Sequence, residues 1–257
     1  MNQAARYEGR LHQSDGQVKN VRDELVIEHP LQIVINGEAL SITMQTPGDE
    51  IDLVRGLLYS EDIYRKKSPE PEFSLISGDQ ELIDRVELTL DPEILGDGYM
   101  NSRQLLSVAS CGICGRTEFT GRSGVLETSA IFSPEEIQPL FEQMRKEQKL
   151  FNQTGGCHGA AIFNRSGGLM VLREDIGRHN AVDKSIGAVL RDGNLSDAAI
   201  LLVSGRLSYE IVSKCFMAGI PQLAAVSAPS SLAVDFAKEL GVELFAFCRD
   251  GRATRYA

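Results

Sequence analysis

The sequence predicts an α/β fold with a mixed sheet, preceded by a smaller α+β unit. Beyond residue 159, apolar strand-like segments alternate regularly with amphipathic helical segments. The runs AAILLVS and QLAAVS have the composition of strands that are buried on both faces of a parallel sheet. In front of them, GAAIFN and LMVLRE flank a glycine turn and predict a hairpin, which makes the sheet mixed.

The first part of the chain predicts a hairpin, a helix and a further strand. Residues 24–43 alternate apolar and polar side chains around Asn36 and Gly37, the pair favoured in two-residue hairpin turns. Residues 49–61 place their apolar side chains on one helical face, with acidic residues in the first turn. RVELTL, near residue 85, returns to the alternation of a strand. Together these segments predict an α+β N-terminal domain.

A second domain is expected to begin shortly before Ser133. This serine has the properties of a helix cap and Pro134 occupies the first helical position, so SPEEIQPLFEQMRKEQKLF predicts a helix. The hairpin follows, and then helices and strands alternate from HNAVDKSIGAVLRD to ELFAF. We therefore expect an N-terminal domain at residues 1–126, ending in a loop with a C-x-x-C motif, and an α/β domain at residues 127–257.

Composition narrows the classes of function. With 257 residues, of which 42% are hydrophobic, the chain can bury a sizeable core. A formal net charge of -10 disfavours nucleic acid as a general partner, although local arginines can still hold a small anion. No segment has the ~20 consecutive apolar residues of a membrane span, and MNQAARYEGR does not resemble a signal peptide. We expect a cytoplasmic protein whose five cysteines remain thiols.

The most informative chemical motif is SCGICG, which contains Cys111 and Cys114. Its glycines and its position outside any periodic segment predict an exposed loop, and the neighbouring Arg116 favours the thiolate form of the cysteines. The motif alone is compatible with redox chemistry, sulfur transfer or half of a structural zinc site. A zinc site needs two more ligands, and the chain has no second C-x-x-C motif and no paired histidines, so we predict no bound metal.

Two histidine-bearing segments are further candidates. TGGCHG places His158 after a glycine-rich turn, where it is either a proton donor or acceptor or an ordinary half-buried ring. Its neighbour Cys157 is expected to be a packing residue. REDIGRHN concentrates charged residues, including Arg178 and His179, in a strand-to-helix connection. Helix capping and surface ion pairing are the alternative explanation for that density.

The end of a predicted central strand is a candidate anion site. AAILLVS ends at Ser204, Gly205 and Arg206, just before a helix. Ligands of open α/β sheets bind beyond the carboxyl ends of the strands, where helix N-termini attract phosphate or carboxylate groups. The alternative is an empty turn, since most turns of this kind bind nothing.

The C-terminal segment FCRDGRATRYA adds a second basic group. Its three arginines are suited to clamp a phosphate, whereas the alternative is a solvated basic end that follows the last strand. Cys248 lies within that strand and is expected to pack in the core. The arginines are Arg249, Arg252 and Arg255.

Several motifs taken together resemble the formate dehydrogenase accessory sulfurtransferase family, often called FdhD. They are SCGICG, TGGCHGAA, REDIGRHNAVDK, SGRLSYEIVSK, AGIP, VSAPSSLAV and FCRDGR. The resemblance extends to EHPLQIVINGE and MQTPGDEIDLVRGLLYSEDI, so that only the first twenty or so residues are unmatched. Cys157 departs from the pattern, because many relatives are expected to have another residue there.

The resemblance implies a sulfurtransferase that accepts persulfide sulfur from a cysteine desulfurase. Its acceptor would be the molybdenum bis(molybdopterin guanine dinucleotide) cofactor, before insertion into the catalytic subunit of formate dehydrogenase. It also implies a cytidine-deaminase-like three-layer α/β/α fold for the C-terminal domain, and it suggests a homodimer. The guanine nucleotide part of the cofactor would be the portion that the protein recognises.

The resemblance also assigns roles by position. Cys111 matches the persulfide-bearing residue of the family and Cys114 its assisting partner. The expected cofactor-binding segment consists of Phe247, Cys248, Arg249, Asp250, Gly251 and Arg252. To this segment we add, as candidates from the motifs above, His158, Arg178, His179, Ser204, Gly205 and Arg206.

Two other functions compete with sulfur transfer. A zinc hydrolase of the deaminase type needs an H-x-E motif and a C-x-x-C motif downstream of it. This chain has no H-x-E motif, and its C-x-x-C motif precedes His158. A cofactor chaperone without enzymatic activity is the closer alternative, because its cysteines would serve only for docking.

Overall fold

A computed structural model describes residues 2–67, 70–78, 81–102, 125–126 and 131–257. The two cysteines of the C-x-x-C motif, Cys111 and Cys114, lie outside the described residues. The domain boundary expected between residues 126 and 127 falls beside the same undescribed part of the chain and stays a prediction.

The described chain begins with a hairpin that the sequence analysis did not predict. Strands β1 (Ala4–His12) and β2 (Val18–Val26) pair antiparallel and form a two-stranded sheet of their own. Most of their side chains are exposed, so there is no contrast between buried apolar and solvated polar positions of the kind that identifies strands in a sequence.

The next four strands form the sheet of the N-terminal part. The predicted hairpin is confirmed: Asn36 and Gly37, with φ of 54° and 79°, make the turn between its two strands. The predicted helix is also confirmed as α1 (Glu50–Ser60), which packs on one face of this sheet through apolar residues. The strands, in the spatial order β4-β3-β6-β5, are β3 (His29–Ile35), β4 (Glu38–Gln45), β5 (Phe73–Ser77) and β6 (Ile83–Leu88).

A six-stranded mixed sheet forms the centre of the C-terminal part, as predicted. Its spatial order is β12-β11-β10-β9-β7-β8, with β9, β10 and β11 parallel and the remaining pairs antiparallel. The strands are β7 (His158–Asn164), β8 (Leu169–Asp175), β9 (Ala198–Val203), β10 (Gln222–Ala225), β11 (Glu243–Arg249) and β12 (Arg252–Arg255).

The C-terminal segment forms a further strand that the sequence analysis did not predict. Asp250 and Gly251 have φ of 55° and 71°, which fits the two-residue turn of a hairpin. This turn returns the chain as β12, which pairs with β11 along the edge of the sheet. The sequence Asp-Gly between two short strands was therefore a turn signal that the dense arginines obscured.

Helices cover both faces of the six-stranded sheet. Alternate residues of the strands pack against α5, α6 and α7 on one face and against α3 on the other. Whether this three-layer arrangement is of the cytidine deaminase type stays a prediction. In the described parts of the chain, no helix is both long and apolar enough to cross a membrane. The helices after α1 are α2 (Asp97–Ser102), α3 (Pro134–Glu147), α4 (Lys149–Thr154), α5 (Arg178–Arg191), α6 (Tyr209–Ala218) and α7 (Ser231–Leu240).

The helix expected after Ser133 is divided in two. Ser133 and Glu136 form a reciprocal capping box at the start of α3, as the sequence predicts. At Gln148 the helix ends and α4 begins. The carboxylate of Glu174 accepts hydrogen bonds from the backbone amides of Leu150 and Phe151, at 2.8 and 2.9 Å. This contact from β8 supplies the acceptor that the first turn of a separate helix needs.

Helices α1 and α5 cross at very short distance and join the N-terminal part to the large sheet. A Cβ atom on Gly56 would lie 1.8 Å from the carbonyl oxygen of Asp183, and one on Gly187 would lie 1.9 Å from that of Asp52. Only glycine allows the two backbones to approach this closely. The carboxylate of Asp52 also binds Arg173 and Arg191, at 2.8 and 2.5 Å.

Candidate functional site

One edge of the six-stranded sheet collects most of the predicted site residues. The parallel strands β9, β10 and β11 all end there, and the neighbouring β7 begins there because it runs antiparallel to β9. His158 opens β7 and is paired with Asp175, the last residue of β8. Helices α5, α6 and α7 begin at the same edge, so their N-terminal dipoles point toward it. The strand order thus unites motifs that are distant in sequence.

Backbone hydrogen bonds hold the loops of this edge together. The amide of Ser204 donates to the carbonyl of Gly159 at 3.0 Å, and the hydroxyl oxygen of Ser204 accepts from the amide of Gly159 at 3.0 Å. The loop after β9 is bonded to the loop after β10 through Leu207, whose amide donates to the carbonyl of Ala228 and whose carbonyl accepts from the amide of Ser230. These bonds connect β7 to the end of β9, and the loop after β9 to the loop after β10.

Gly205 makes room for a histidine and an arginine. A Cβ atom at this position would lie 3.3 Å from Nδ1 of His158 and 3.6 Å from Cβ of Arg178. The imidazole therefore lies directly against the glycine backbone, and Arg178, the first residue of α5, lies on the same side. A larger residue in place of Gly205 would have to displace the ring.

The field at His158 is positive. Its pKa is lowered from the usual 6.5 by burial, then by the positive charges of Arg178 and Arg206, against an opposing effect of Asp175. The ring is therefore neutral at neutral pH. Arg206 is exposed, whereas the Nε atom of Arg178 is buried and has no hydrogen-bonding partner among the described residues. Two arginines around a neutral histidine at helix N-termini are suited to bind an anion.

His179 has a different role from His158. Its Nε2 atom lies 2.9 Å from a carboxylate oxygen of Glu210 and 3.3 Å from the hydroxyl of Ser208. The hydrogen bond from this ring lowers the pKa of Glu210, in spite of the burial that opposes the shift. Sequence analysis missed Ser208 and Glu210, although both stand at the strand-to-helix switch SGRLSYE. The ring is thus oriented by α6 and half-buried beside the arginines.

Asp175 fixes the loop that carries Arg178 and His179. This aspartate is fully buried. One carboxylate oxygen accepts from the amide of Gly177 at 2.7 Å and from the side-chain amide of Asn180 at 3.1 Å. Gly177 immediately precedes α5, so this carboxylate oxygen holds the loop that leads into the helix.

The other carboxylate oxygen of Asp175 reaches across to the N-terminal part. It accepts from the amide of Thr46 at 3.0 Å and lies 2.8 Å from Nζ of Lys184. Lys184 is itself fully buried and donates to the carbonyl of Thr46 at 2.6 Å and to Oε1 of Gln45 at 3.2 Å. The buried ion pair joins β8 to α5, and its hydrogen bonds to Gln45 and Thr46 attach the end of β4 to both. In the sequence, Lys184 is an ordinary residue of an amphipathic helix and was not identified.

The predicted segment from Phe247 to Arg252 lies on the same edge, but beyond β10. Two strand spacings, about 10 Å, separate β11 from β9. Phe247 has φ of 55° at an irregularity in the β11–β12 pairing, and its amide donates to the carbonyl of Ser227 at 3.1 Å. Arg249 and Arg252 are exposed on either side of the turn formed by Asp250 and Gly251.

Cys248 differs from its neighbours in this segment. Its side chain is 2% exposed and packs in the apolar layer between the sheet and α3, as expected for a strand residue. Only its backbone could therefore contact a ligand.

The described cysteines are poor nucleophiles. Burial raises the pKa of Cys248 to about 11, and burial together with the carboxylate of Glu174 raises that of Cys157 to about 12. Burial also raises the pKa of Cys215. None of these thiols forms a substantial thiolate at neutral pH. Within the described ranges, no three His, Cys, Asp or Glu side chains are grouped as metal ligands would be.

Comparisons with known proteins identify relatives over nearly the whole chain. The model of the FdhD/NarQ family matches residues 26–257. The sulfur carrier protein FdhD of Streptomyces avermitilis is 40% identical over 254 residues, covering 95% of this chain and 90% of the relative. The protein of the same name from Sulfolobus acidocaldarius is 42% identical over 236 residues, covering 91% and 89%.

A solved structure shares the fold. The crystal structure of a proposed formate dehydrogenase accessory protein from Desulfotalea psychrophila aligns with a TM-score of 0.74. The alignment covers 99% of this chain and 97% of that one, at 24% sequence identity. The mixed α/β architecture is therefore that of a known structure.

Replacement of Lys184 by methionine should destabilise the protein by about 3–5 kcal/mol, because it leaves the carboxylate of Asp175 buried without a cation. Urea unfolding measures this loss. The control is Lys238→Met on the exposed side of α7, which should change stability by about 0.5 kcal/mol or less. Equal stability of the two variants would show that the buried ion pair does not hold the two parts together.

Removal of a neighbouring arginine should raise the pKa of His158 toward 6.5. Arg178→Ala should have a larger effect than Arg206→Ala, since Arg178 contributes more to the lowering. NMR titration of the imidazole in each variant measures the shift. Arg165→Ala, in the exposed turn at the opposite end of β7, is the control and should leave the titration unchanged. A fall in the pKa of His158 upon loss of either arginine would contradict the positive field.

Proposed function

Because the chain belongs to the FdhD/NarQ family, we propose that it is a sulfur carrier that serves the maturation of formate dehydrogenase. The names of the relatives and the coverage of their sequences support this role. A cytoplasmic location belongs to the same proposal, since a reducing compartment keeps thiols free for sulfur chemistry. The cytidine-deaminase-like form of the sheet is also part of this proposal.

Sulfur loading would take place on Cys111. Its thiolate attacks the terminal sulfur of a persulfide on a cysteine desulfurase, and a new S–S bond forms as the S–S bond of the donor breaks. The donor cysteine leaves as a thiolate, and Cys111 holds the persulfide. The burial of Cys157, Cys215 and Cys248 supports this assignment, because these thiols are inaccessible to a protein donor.

Sulfur release would require the second cysteine of the motif. The thiolate of Cys114 attacks the inner sulfur of the Cys111 persulfide, so that a Cys111–Cys114 disulfide forms and the outer sulfur departs as sulfide. Two thiol sulfurs are oxidised and the transferred sulfur is reduced by two electrons. A dithiol reductant must then reduce the disulfide before the next cycle.

The acceptor would be the molybdenum bis(molybdopterin guanine dinucleotide) cofactor, bound as a substrate through its phosphates. The observation that carries this proposal is the convergence of Arg178, Arg206 and three helix N-termini on one sheet edge. The buried, unpartnered Nε atom of Arg178 and the neutral ring of His158 suit a phosphate oxygen. Arg249 and Arg252 would contact the more distant part of the dinucleotide.

A chaperone that binds and delivers the cofactor without transferring sulfur is the second candidate. The same sheet edge would serve it, and the rigid loops around Gly205 favour either role equally. The two functions differ in their need for thiol chemistry. The carrier requires Cys111 to receive sulfur, whereas the chaperone does not.

Incubation with a cysteine desulfurase and free cysteine should add sulfur to Cys111. Intact-protein and peptide mass spectrometry of the wild type, Cys111→Ala and Cys114→Ala locates the added atom. We expect no addition in Cys111→Ala and a retained persulfide in Cys114→Ala, because the latter lacks the releasing thiol. An unmodified wild-type protein beside an active desulfurase, together with full formate dehydrogenase maturation by Cys111→Ala, would favour the chaperone.

A guanine nucleotide should bind at the sheet edge in either case. Calorimetric titration with guanosine diphosphate should show affinity reduced by about tenfold or more in Arg178→Ala, since a charge-assisted contact to phosphate is lost. Arg165→Ala, which lies at the other end of the sheet, should bind like the wild type. Equal weakening by the two variants would mean that the nucleotide does not occupy this edge.

A further inference from the structure

Glu210 places a carboxylate inside the arginine-rich sheet edge. It is the second residue of α6, and its side chain is 14% exposed. A carboxylate at this position is stabilised by the positive end of the helix dipole, and it competes there with an anionic ligand. A hydrogen bond from His179 lowers the pKa of Glu210 in spite of burial, so the group is ionised at neutral pH. The candidate anion site therefore contains a negative charge of its own.

His179 donates the hydrogen bond that holds this carboxylate. Its Nε2 atom lies 2.9 Å from Glu210, and because an ionised carboxylate can only accept, Nε2 carries the hydrogen whatever the charge of the ring. The hydroxyl of Ser208 lies 3.3 Å from the same atom and does not cap α6. In contrast, Ser230 in the equivalent position before α7 accepts from the amide of Ala233 at 3.1 Å. Ser208 thus faces the imidazole instead of the helix amides.

Two other cations act on Glu210. After His179, whose hydrogen bond has the largest effect, the positive charges of Lys214 and Arg178 lower the pKa of Glu210. Lys214 is already bound by two other carboxylates. They belong to Glu61 and Asp183, at 2.8 and 2.9 Å from Nζ. The buried Nε atom of Arg178, in contrast, has no hydrogen-bonding partner in the described parts of the chain. If His179 were lost, Arg178 would therefore be the cation left to pair with Glu210.

We propose that His179 is a positioning residue that keeps Arg178 available for the anion, because it occupies the Glu210 carboxylate that would otherwise pair with this arginine. Arg178 and His179 are the first two residues of α5. One short segment therefore carries the group that binds the ligand and the group that restrains its competitor. The inference rests on the anion-binding role proposed for this edge, and it adds to that role an internal competitor and the residue that controls it.

A merely structural contact between His179 and Glu210 predicts a different result. If the contact served only to fasten α5 to α6, loss of either partner would break it and would have the same effect on binding. In the proposed arrangement the two partners have opposite effects. Loss of His179 releases a carboxylate onto Arg178, whereas loss of the charge of Glu210 removes the competitor. Variants of the two residues, alone and combined, therefore distinguish the two roles.

Calorimetric titration with guanosine diphosphate measures the effect on binding. His179→Ala should reduce the affinity toward the roughly tenfold loss expected of Arg178→Ala, since the released carboxylate diverts the arginine. Glu210→Gln alone should bind at least as tightly as the wild type. The double variant His179→Ala/Glu210→Gln should recover the wild-type affinity, because it has no carboxylate to release. His179→Gln, whose amide can donate in place of Nε2, should recover most of it.

NMR titration of His158 follows Arg178 without any ligand. Burial, and then the charge of Arg178, lower the pKa of His158, so diversion of the arginine in His179→Ala should raise this pKa toward 6.5. Addition of Glu210→Gln should reverse most of the rise. His179 itself makes the smallest contribution to the lowering, and the single and double variants lose that contribution alike. Circular dichroism verifies that each variant is folded.

The matched control removes a different carboxylate. Glu239 is exposed near the C-terminal end of α7, away from the sheet edge, so Glu239→Gln changes the net charge by the same amount as Glu210→Gln. Combined with His179→Ala, it should restore neither the affinity nor the titration of His158.

Three outcomes would overturn the proposal. Glu210→Gln might fail to rescue His179→Ala in both measurements, or it might weaken binding as much as His179→Ala does, or Glu239→Gln might rescue equally well. Any of these results with intact binding of guanosine diphosphate would leave the anion site in place and overturn only the role of His179. A wild-type protein that does not bind the nucleotide would overturn the anion site and this inference with it.

Discussion

The buried contact between Asp175 and Lys184 is the interaction on which the rest of the candidate site depends. Both side chains are removed from water. Burial of each charge is stable only because the opposite charge lies 2.8 Å away and because both groups make further hydrogen bonds. The carboxylate uses one oxygen to set the loop before α5 and the other to receive the amide of Thr46. One group thereby determines the local structure of the site and its attachment to the N-terminal part.

Through this attachment the N-terminal part supports the candidate site, although it contributes none of the described candidate binding residues. The end of β4 lies against Asp175 and Lys184, while α1 is locked onto α5 by the glycine crossing at Gly56 and Gly187. Helix α5 is consequently held along its length by a second unit, and its first turn carries Arg178 and His179. A rigid support of this kind is what precise placement of an anion-binding arginine requires.

The sequence was sufficient to predict the structural features that depend on local residue patterns. The alternation of strands and helices, the turn at Asn36 and Gly37, and the cap at Ser133 follow from periodicity and residue chemistry, and the structure confirms them. Arg206 was a candidate because it follows the end of a predicted strand, whereas its approach to His158, at the start of an antiparallel strand, follows only from the strand order of the sheet. The roles of Lys184 and Glu210 could not be predicted from the sequence. A lysine within an amphipathic helix, for example, is ordinarily solvated, and only the tertiary contact reveals its partner. The β1–β2 hairpin was not predicted for the opposite reason. Both of its faces are largely exposed, so its strands lack the contrast between buried apolar and solvated polar positions that identifies a strand in a sequence.

The charge distribution of the protein and the burial of its described cysteines bear on two different requirements of the proposed function, which are anion binding and sulfur transfer. The protein is acidic overall, with a net charge of -10, yet the described sheet edge presents arginines and helix N-termini around a neutral imidazole. In the proposed function, an anion would therefore be attracted to this edge against the average field of the protein. Sulfur transfer makes the opposite demand, since a thiol must reach first a donor protein and then the bound acceptor. The described cysteines are buried within packed layers and cannot meet that demand. In the proposed function, the sheet edge would therefore bind the acceptor, and the C-x-x-C motif would supply the thiols that carry the sulfur.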